Sequence, residues 1–469
     1  MVEFLDAVRH LDPHITVILA VALLIAFGFE VVNGFHDTAN AVTTVIYTRT
    51  LRPIPAVFFS GFCNFLGVLL GGTAIAFSIV HLLPVELLIE ANSRAAIAMV
   101  LSLLVAGLAW NLSTWYVGLP VSSSHTLIGS ILGVGMAHSL LSGHGPFGGV
   151  NWTKAGEVGL SLFISPLIGF ASAAILLRIA RRTVPDPELY EPPPADPEAR
   201  PPWWIRGVLV GTCGGVSLAH GSNDGQKGMG LIMLVLMGLL PASFALNLRH
   251  DAGAQETRQA AERLKVMLMA AHPEDRYQAI RDLDSLIRDL DGKISLREVP
   301  VEQRWRIHST IFRLDRQLDG VTAATANSPA DPRETINGPR KELRGAIEYV
   351  PTWVIVGVAL CLGIGTTVGY KRIVVTVAEK IGKSHLTYAQ GASAEVVAMA
   401  TIGMADLGGL PVSTTQVLSS GVAGTMWANR SGVQGATVRN ILLAWLLTLP
   451  ASMLLAAGLY LFSHAVIGH

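Results

Sequence analysis

Apolar residues in this chain gather into runs that approach the ~20 residues a helix needs to cross a bilayer, with polar residues collected between them. In the first half the runs are His14 to Gly34, Thr38 to Thr48, Ile54 to Leu83, Ala95 to Val117, Leu127 to Leu141 and Val158 to Ile179. In the second half they are Ile205 to Leu218, Met229 to Leu246, Trp353 to Val368, Ala389 to Met404, Val417 to Trp427 and Ile441 to Phe462. Thr38 to Thr48 is too short to cross alone, and Arg49, Arg52, Pro53 and Pro55 close it off. The pattern predicts an all-α polytopic membrane protein with about ten to twelve membrane segments, some broken or re-entrant. Glu3 and Asp6 precede the first run where a cleavable signal would carry basic residues, so this run is expected to stay as a membrane helix.

Two stretches interrupt the apolar pattern. Eight of the twenty residues from Thr183 to Pro202 are proline, which reads as an extended, solvated linker. Between Leu248 and Glu348 the chain turns polar, with 17 Lys/Arg and 16 Asp/Glu from Arg249 to Arg344. Tyr277, Ile280, Leu283, Leu286, Ile287 and Leu290 recur there at helical spacing, as do Ile307, Ile311, Leu314 and Leu318. A small helical insert is expected, its basic residues favouring the cytoplasmic side. The resulting organisation is membrane repeat 1 (1–182), linker (183–202), repeat 2 first part (203–247), soluble insert (248–348) and repeat 2 second part (349–469).

Composition agrees with the membrane reading. The 469 residues are 51% hydrophobic and 14% charged, with mean hydropathy +0.48, against about a quarter charged in soluble domains. Equal numbers of basic and acidic residues, 34 each, give nucleic acid no basic surface to bind. Cys63, Cys213 and Cys361 lie singly in apolar runs and read as packed thiols. No cofactor motif is present.

The term "repeat" rests on polar motifs that recur in order. Asn33-Gly34-Phe35-His36-Asp37-Thr38-Ala39-Asn40 ends the first apolar run, and Ala219-His220-Gly221-Ser222-Asn223-Asp224-Gly225-Gln226-Lys227 echoes it. Leu119-Pro120-Val121-Ser122-Ser123-Ser124-His125-Thr126 returns as Leu410-Pro411-Val412-Ser413-Thr414-Thr415-Gln416-Val417. Asp37 precedes Pro120 by 83 residues and Asp224 precedes Pro411 by 187, an excess close to the length of the charged insert.

Each motif suggests a chemistry. A proline followed by small hydroxyl residues starts a helix whose first N–H groups are unpaired, which with the hydroxyls makes an anion cradle. Ser122, Ser123 and Ser124, with Ser413, Thr414 and Thr415, therefore form two candidate cradles for one tetrahedral oxyanion. Asp37, Asn40, Asn223 and Asp224 offer oxygens for a hard cation, or, for the acids, a transferable proton. Carboxylates beside an anion need a cation or proton to screen them, and that is symport chemistry. His36, His125 and His220 lie within the motifs as candidates for the proton path, and their spacing does not point to a metal site.

The residues Gly34-Phe35-His36-Asp37-Thr38-Ala39-Asn40-Ala41 and Gly221-Ser222-Asn223-Asp224 resemble the paired signature of the PiT inorganic phosphate transporters. Gly118-Leu119-Pro120-Val121-Ser122-Ser123-Ser124-His125-Thr126 resembles that family's second motif, with the bacterial low-affinity phosphate permeases as nearest look-alikes. The resemblance covers nearly all of the membrane portion. It implies two inverted repeats, phosphate bound at the repeat interface by Ser122–Ser124, Ser413–Thr415, Asn40 and Asn223, and coupling to Na⁺ or H⁺. It also implies a bacterial inner (plasma) membrane, phosphate carried free or with a divalent metal as a neutral complex, and a homodimer.

Repeat 2 departs from the signature at one place. Lys227 stands where repeat 1 has Asn40, three residues from Asp224 and so on its helical face. A fixed ammonium there stands in for a bound cation, leaving protonation at Asp37, or at a nearby His such as His36, as the variable. The expectation is proton symport. The rivals are a Na⁺-coupled phosphate or a sulfate carrier, a membrane scaffold or receptor, and an intramembrane hydrolase using Asp37 with Asp224 or Ser124 with His125. Duplication weighs against the hydrolase, because the repeat-2 counterpart of His125 is Gln416, which is no base.

Overall fold

The computed structural model of the chain describes residues 2–9, 11–83, 93–145, 147–148, 150–194, 200–270, 277–324, 332–376 and 381–467. These residues are helical or irregular, with a single isolated bridge between Gly382 and Val433. In chain order the helices are α1 (Val2–Arg9), α2 (Pro13–Tyr47), α3 (Pro53–Leu70), α4 (Ala74–Val80), α5 (Ser93–Val117), α6 (Ser123–Leu141) and α7 (Trp152–Thr183). Then follow α8 (Trp203–Leu239), α9 (Pro241–Phe244), α10 (Gly253–Ala270), α11 (Tyr277–Asp289), α12 (Val301–Ala324) and α13 (Pro332–Gly345). The last five are α14 (Thr352–Thr367), α15 (Lys371–Val375), α16 (Tyr388–Leu407), α17 (Thr414–Ala428) and α18 (Gly435–Ile467). They fall into two compact units, one of Val17–Val235 with Thr352–His469, the other of Met1–Thr16 with Leu236–Pro351.

The larger unit carries the duplication in its element order. The set α2 to α7 is matched by α8 and α14 to α18, down to a very short helix (α4, α15) in third place. Both final helices hold an interior proline, Pro166 in α7 and Pro450 in α18. Among the described residues five helices, α2, α3, α5, α7 and α18, are long and apolar enough to cross a membrane, and α14 is a shorter apolar helix. Phe163 and Leu167 on α7, and Leu446 and Leu454 on α18, are exposed, as suits side chains that face hydrocarbon.

Two breaks expected from the apolar pattern do not occur, and one that was not expected does. His14 to Gly34 and nearly all of Thr38 to Thr48 belong to one 35-residue helix, α2, and the 37-residue α8 runs unbroken through Asp224 from Ile205 to Leu239, the rest of the second run passing into α9. Asp, Asn and Gly each cost a helix about 1 kcal/mol or less, whereas proline costs about 3. No proline lies between His14 and Arg52 or between Trp203 and Leu240, so the polar motifs ride inside continuous helices. The run Ile54 to Leu83 does break, at residues 71–73, into α3 and α4. The exposed start of α4 is met by Gln226, whose Oε1 accepts the Ile75 N–H at 3.0 Å.

Packing crosses the two halves. α6 lies against α18 and α5, α17 against α7 and α16, and α3 against α14. Each serine-led helix is thus clasped by the final helix of the other half. Gly133 and Gly424 make this approach possible, since a Cβ at either would collide with a carbonyl oxygen, of Met453 and Phe170 respectively.

The smaller unit packs α10 to α13 around one another. Leu283, Leu286, Leu290, Ile307, Ile311, Leu314 and Leu318 are buried. Tyr277, placed in the same stripe by its spacing, is exposed because it is the first residue of α11. Asp315 ties the bundle together, 2.6 Å from Arg340 Nε and 3.0 Å from Arg344 Nη2.

Candidate functional site

Two helix starts of the same design frame the site. Ser122 and Ser413 are extended N-cap residues, and each hydroxyl accepts a backbone N–H three residues on, from His125 at 3.2 Å and Gln416 at 3.3 Å. The preceding Pro120 and Pro411 keep the approach out of the helix, and the caps leave other first-turn N–H groups to point forward. All six hydroxyl residues, Ser122 to Ser124 and Ser413 to Thr415, are buried.

The two starts converge on one carboxylate. Ser123 Oγ donates to Asp37 Oδ2 at 3.2 Å, and Thr415 Oγ1 donates to Asp37 Oδ1. Asp37 comes from α2, Ser123 from α6 and Thr415 from α17, so both halves meet at its side chain.

Asp224 has different company. Lys227 Nζ lies 2.5 Å from Asp224 Oδ1, 2.6 Å from Ser124 Oγ and 2.7 Å from Val412 O, which uses all three ammonium hydrogens. Ser124 and Thr415 are counterparts in the duplication, as are Asp37 and Asp224. Where Thr415 bonds Asp37 directly, an ammonium stands between Ser124 and Asp224.

His220 joins the two acids. Its Nε2 lies 3.6 Å from Asp37 Oδ2 and 3.2 Å from Asp224 Oδ2, distances of an ion pair without hydrogen-bond alignment. The other ring nitrogen fixes the tautomer. Thr366 Oγ1 donates to Leu362 O at 2.8 Å and so accepts from Asn64 Nδ2 at 2.8 Å. That orientation turns Asn64 Oδ1 to His220 Nδ1 at 2.9 Å, making Nδ1 a donor. A bare Nε2 lone pair against two carboxylates would be repulsive, so the ring fits as an imidazolium.

The profile of the phosphate transporter family matches residues 33–456, which takes in every motif of this site. The chain belongs to the phosphate transporter family. It is 40% identical to the low-affinity inorganic phosphate transporter PitA of Escherichia coli K12, over 97% of this chain and 98% of that one. It is 41% identical to a low-affinity inorganic phosphate transporter of Buchnera aphidicola, over 96% and 97% of the two chains. A solved structure described as the sodium-dependent phosphate transporter superposes with TM-score 0.56 at 20% identity, covering 96% of this chain and all of that one, a likeness of fold. As a phosphate transporter family member the chain is an integral membrane protein and not an enzyme.

The other expected site residues of this family member take varied positions. Asn223 braces the approach to α17, its Nδ2 3.4 Å from Leu410 O and its Oδ1 3.4 Å from Val412 N. His36 turns to α5, with Nε2 3.4 Å from Thr114 Oγ1. The side chain of Asn40 lies outside the described residues. Spacing along the chain did not point to a metal, yet in space one ligand atom each from Asp37, His220 and Asp224 lie within 4.8 Å of one another. An imidazolium there donates rather than ligates, and the ammonium of Lys227 lies against Asp224 Oδ1.

Several buried polar groups escaped sequence reading. Asn64, which orients His220, sits unremarked in an apolar run. Glu395 accepts hydroxyls from Thr44 and Thr212, and the half-buried Asp406 accepts from Ser222 and, at 2.6 Å, from Gln226 Nε2. Glu30, fully buried in α2, has no full-geometry hydrogen bond on either oxygen among the described residues, with the Asn33 side chain as its neighbouring donor group. A carboxylate within an apolar run is itself a signal of function, and it marks Glu30 and Glu395.

Proposed function

We propose that the chain carries inorganic phosphate into a bacterial cell across the inner membrane by proton symport, with Lys227 as a fixed counter-charge. Phosphate oxygens would take the hydroxyls of Ser123 and Thr415 that now bond Asp37, together with forward-pointing N–H groups at the starts of α6 and α17. The donors thus come from both halves of the molecule, as a site opened alternately to each side requires. The observation that carries the coupling is the ammonium of Lys227 between Ser124 and Asp224. A metal cation at that point would face the ammonium's repulsion and find Asp224 already compensated. Protons remain as the mobile charge.

The test is uptake of radiolabelled phosphate into proteoliposomes under an imposed pH gradient, with and without Na⁺. Accumulation that follows the pH gradient in Na⁺-free buffer is the expected result. Accumulation that needs Na⁺ and ignores the gradient would defeat the proposal. The same assay with and without Mg²⁺ decides whether phosphate travels free or as a divalent metal complex.

A further inference from the structure

Glu30 lies on α2 two turns before Asp37 and is 0% exposed. Among the described residues neither carboxyl oxygen has a hydrogen bond of full geometry; the Asn33 side chain, one turn further along, is the one donor group that bears on the acid, and its own Oδ1 has no partner. The backbone of α8 presses against the acid, since a Cβ on Gly228 would lie 2.6 Å from each carboxyl oxygen. Gly228 directly follows Lys227, so the ammonium is rooted beside this acid but spends its three hydrogens on Asp224, Ser124 and Val412.

A neighbouring helix adds a third unsatisfied side chain. Phe29 packs on Gly107, and His36 reaches Thr114, so α5 runs alongside α2 in step with it. Asn111, midway between those contacts, falls at the level of Asn33, and neither its Oδ1 nor its Nδ2 has a partner. The ionisable groups that act on Glu30 are Asp224, His220 and Lys227 from α8 and Cys361 from α14. An ionised carboxylate in a buried site with no ion-pair partner in contact and only a neutral amide nearby is costly enough that such groups normally take up a proton.

Glu395 supplies the contrast. It is equally buried, but Thr44 and Thr212 each donate a hydroxyl to it. Residues 30, 37 and 44 are each seven apart, so Glu30, Asp37 and Thr44 share a face of α2 at steps of about 10 Å. At that separation Glu30 feels the charge of the Asp37–His220–Asp224–Lys227 cluster without touching Asp37.

We propose that Glu30 is a separate proton station, holding the coupling proton as a neutral carboxylic acid beside the backbone of Gly228. This rests on the proton-symport reading. With Asp37 and Asp224 ionised and Lys227 and imidazolium His220 positive, the cluster is balanced, and a protonated Glu30 keeps it so. When phosphate has left, loss of that proton creates one uncompensated negative charge, which sets the state that must pick up a proton before the next cycle.

Two readouts test this. In the unmodified protein, dicyclohexylcarbodiimide, which adds to protonated carboxyls in apolar surroundings, is expected to leave an N-acylurea on Glu30 at neutral pH, read by peptide mass spectrometry. In proteoliposomes, Glu30→Gln is expected to keep phosphate–phosphate exchange within about threefold of wild type while losing about tenfold or more of pH-driven accumulation and its accompanying proton uptake. Wild-type accumulation and proton uptake by Glu30→Gln would overturn the assignment. So would an unlabelled Glu30 in a protein whose Glu395 is labelled, or protection of Glu30 by Na⁺ at constant pH. The adduct needs no substitution, so it decides the matter even where the Gln variant does not fold. If wild type itself ignores the pH gradient, the symport reading fails, whatever the labelling shows of Glu30.

Discussion

The two halves of the site hold equivalent acids by different means. Asp37 takes hydroxyls from Ser123 and Thr415, one from each half, whereas Asp224 takes the ammonium of Lys227 and faces His220. Hydroxyls are exchangeable donors that can turn to a phosphate oxygen, leaving the acid behind them able to relax. An ammonium with all three hydrogens committed cannot turn away without stranding a buried carboxylate. On the proposed reading, the half built on hydroxyls rearranges around phosphate while the half built on the committed ammonium stays fixed.

The most damaging way to break the comparison is at Lys227. Lys227→Asn restores the residue type of its counterpart, Asn40, and leaves Asp224 with His220 alone. Removing one partner of a buried ion pair costs about 3–5 kcal/mol, so pH-driven uptake is expected to fall by about a hundredfold or more. Na⁺ is expected to recover part of it, by filling the vacated place. The double change Asp224→Asn with Lys227→Asn removes both charges and is expected to be milder than either alone. Uptake near wild type in Lys227→Asn, with no response to Na⁺, would mean the ammonium is not a stand-in for a cation.

The hydroxyl half is expected to give a smaller effect. Ser123→Ala and Thr415→Ala each remove one hydrogen bond to a charged group, worth about 1.5–3 kcal/mol, so the apparent phosphate affinity should drop about ten- to a hundredfold. The two variants should behave alike, because their hydroxyls meet the same carboxylate. Unchanged uptake at limiting phosphate in both would remove the converging starts of α6 and α17 from the binding site.

The insert sets a control on both halves. Asn247 N donates to Ala346 O at 2.8 Å, so the chain leaves and returns at one point. Replacing Asp251 to Arg340 with a short Gly/Ser linker is expected to leave uptake within about fivefold of wild type, since closing a flexible loop costs little more as it lengthens. A well-inserted deletion without transport would make the insert part of the mechanism.

How much of this could be read in advance depends on what each residue signals. The duplication was legible because proline and hydroxyl residues cap helix starts wherever they occur, and Ser122 and Ser413 do so. The pairing of Lys227 with Asp224 was legible because positions three apart share a helix face. Continuity of α2 and α8 was not, because polar residues look like interruptions, although Asp, Asn and Gly each cost a helix far less than proline does. His220 stood in a motif, but its place between Asp37 and Asp224 depends on α2 and α8 coming together, and its tautomer on Asn64 from α3 and Thr366 from α14. Contacts between helices far apart in the chain leave no spacing to read.

The smallest expected effect separates two buried histidines. His220 faces acceptors with both nitrogens, whereas His308, in α12, is buried with Nδ1 2.7 Å from the carbonyl of Ala245 and its ring stacked on Trp305 at 4.9 Å. Burial pushes His308 down to about 4, and the hydrogen bond to Ala245 only partly opposes it. The unfolded chain, with an ordinary histidine near 6.5, therefore binds more protons than the folded one between these two values. Stability from this group is complete above about pH 6.5, declines as pH falls through the window by up to about 1.4 kcal/mol per pH unit, and levels off below about 4. The effect stays within the smaller unit. Hydrogen exchange of the α12 amides in the full-length protein, corrected for intrinsic rates, should show less protection at pH 5 than at pH 7. His308→Gln keeps a neutral donor for Ala245 at every pH and should flatten the difference. An equal pH response in that variant would place the titration on another group.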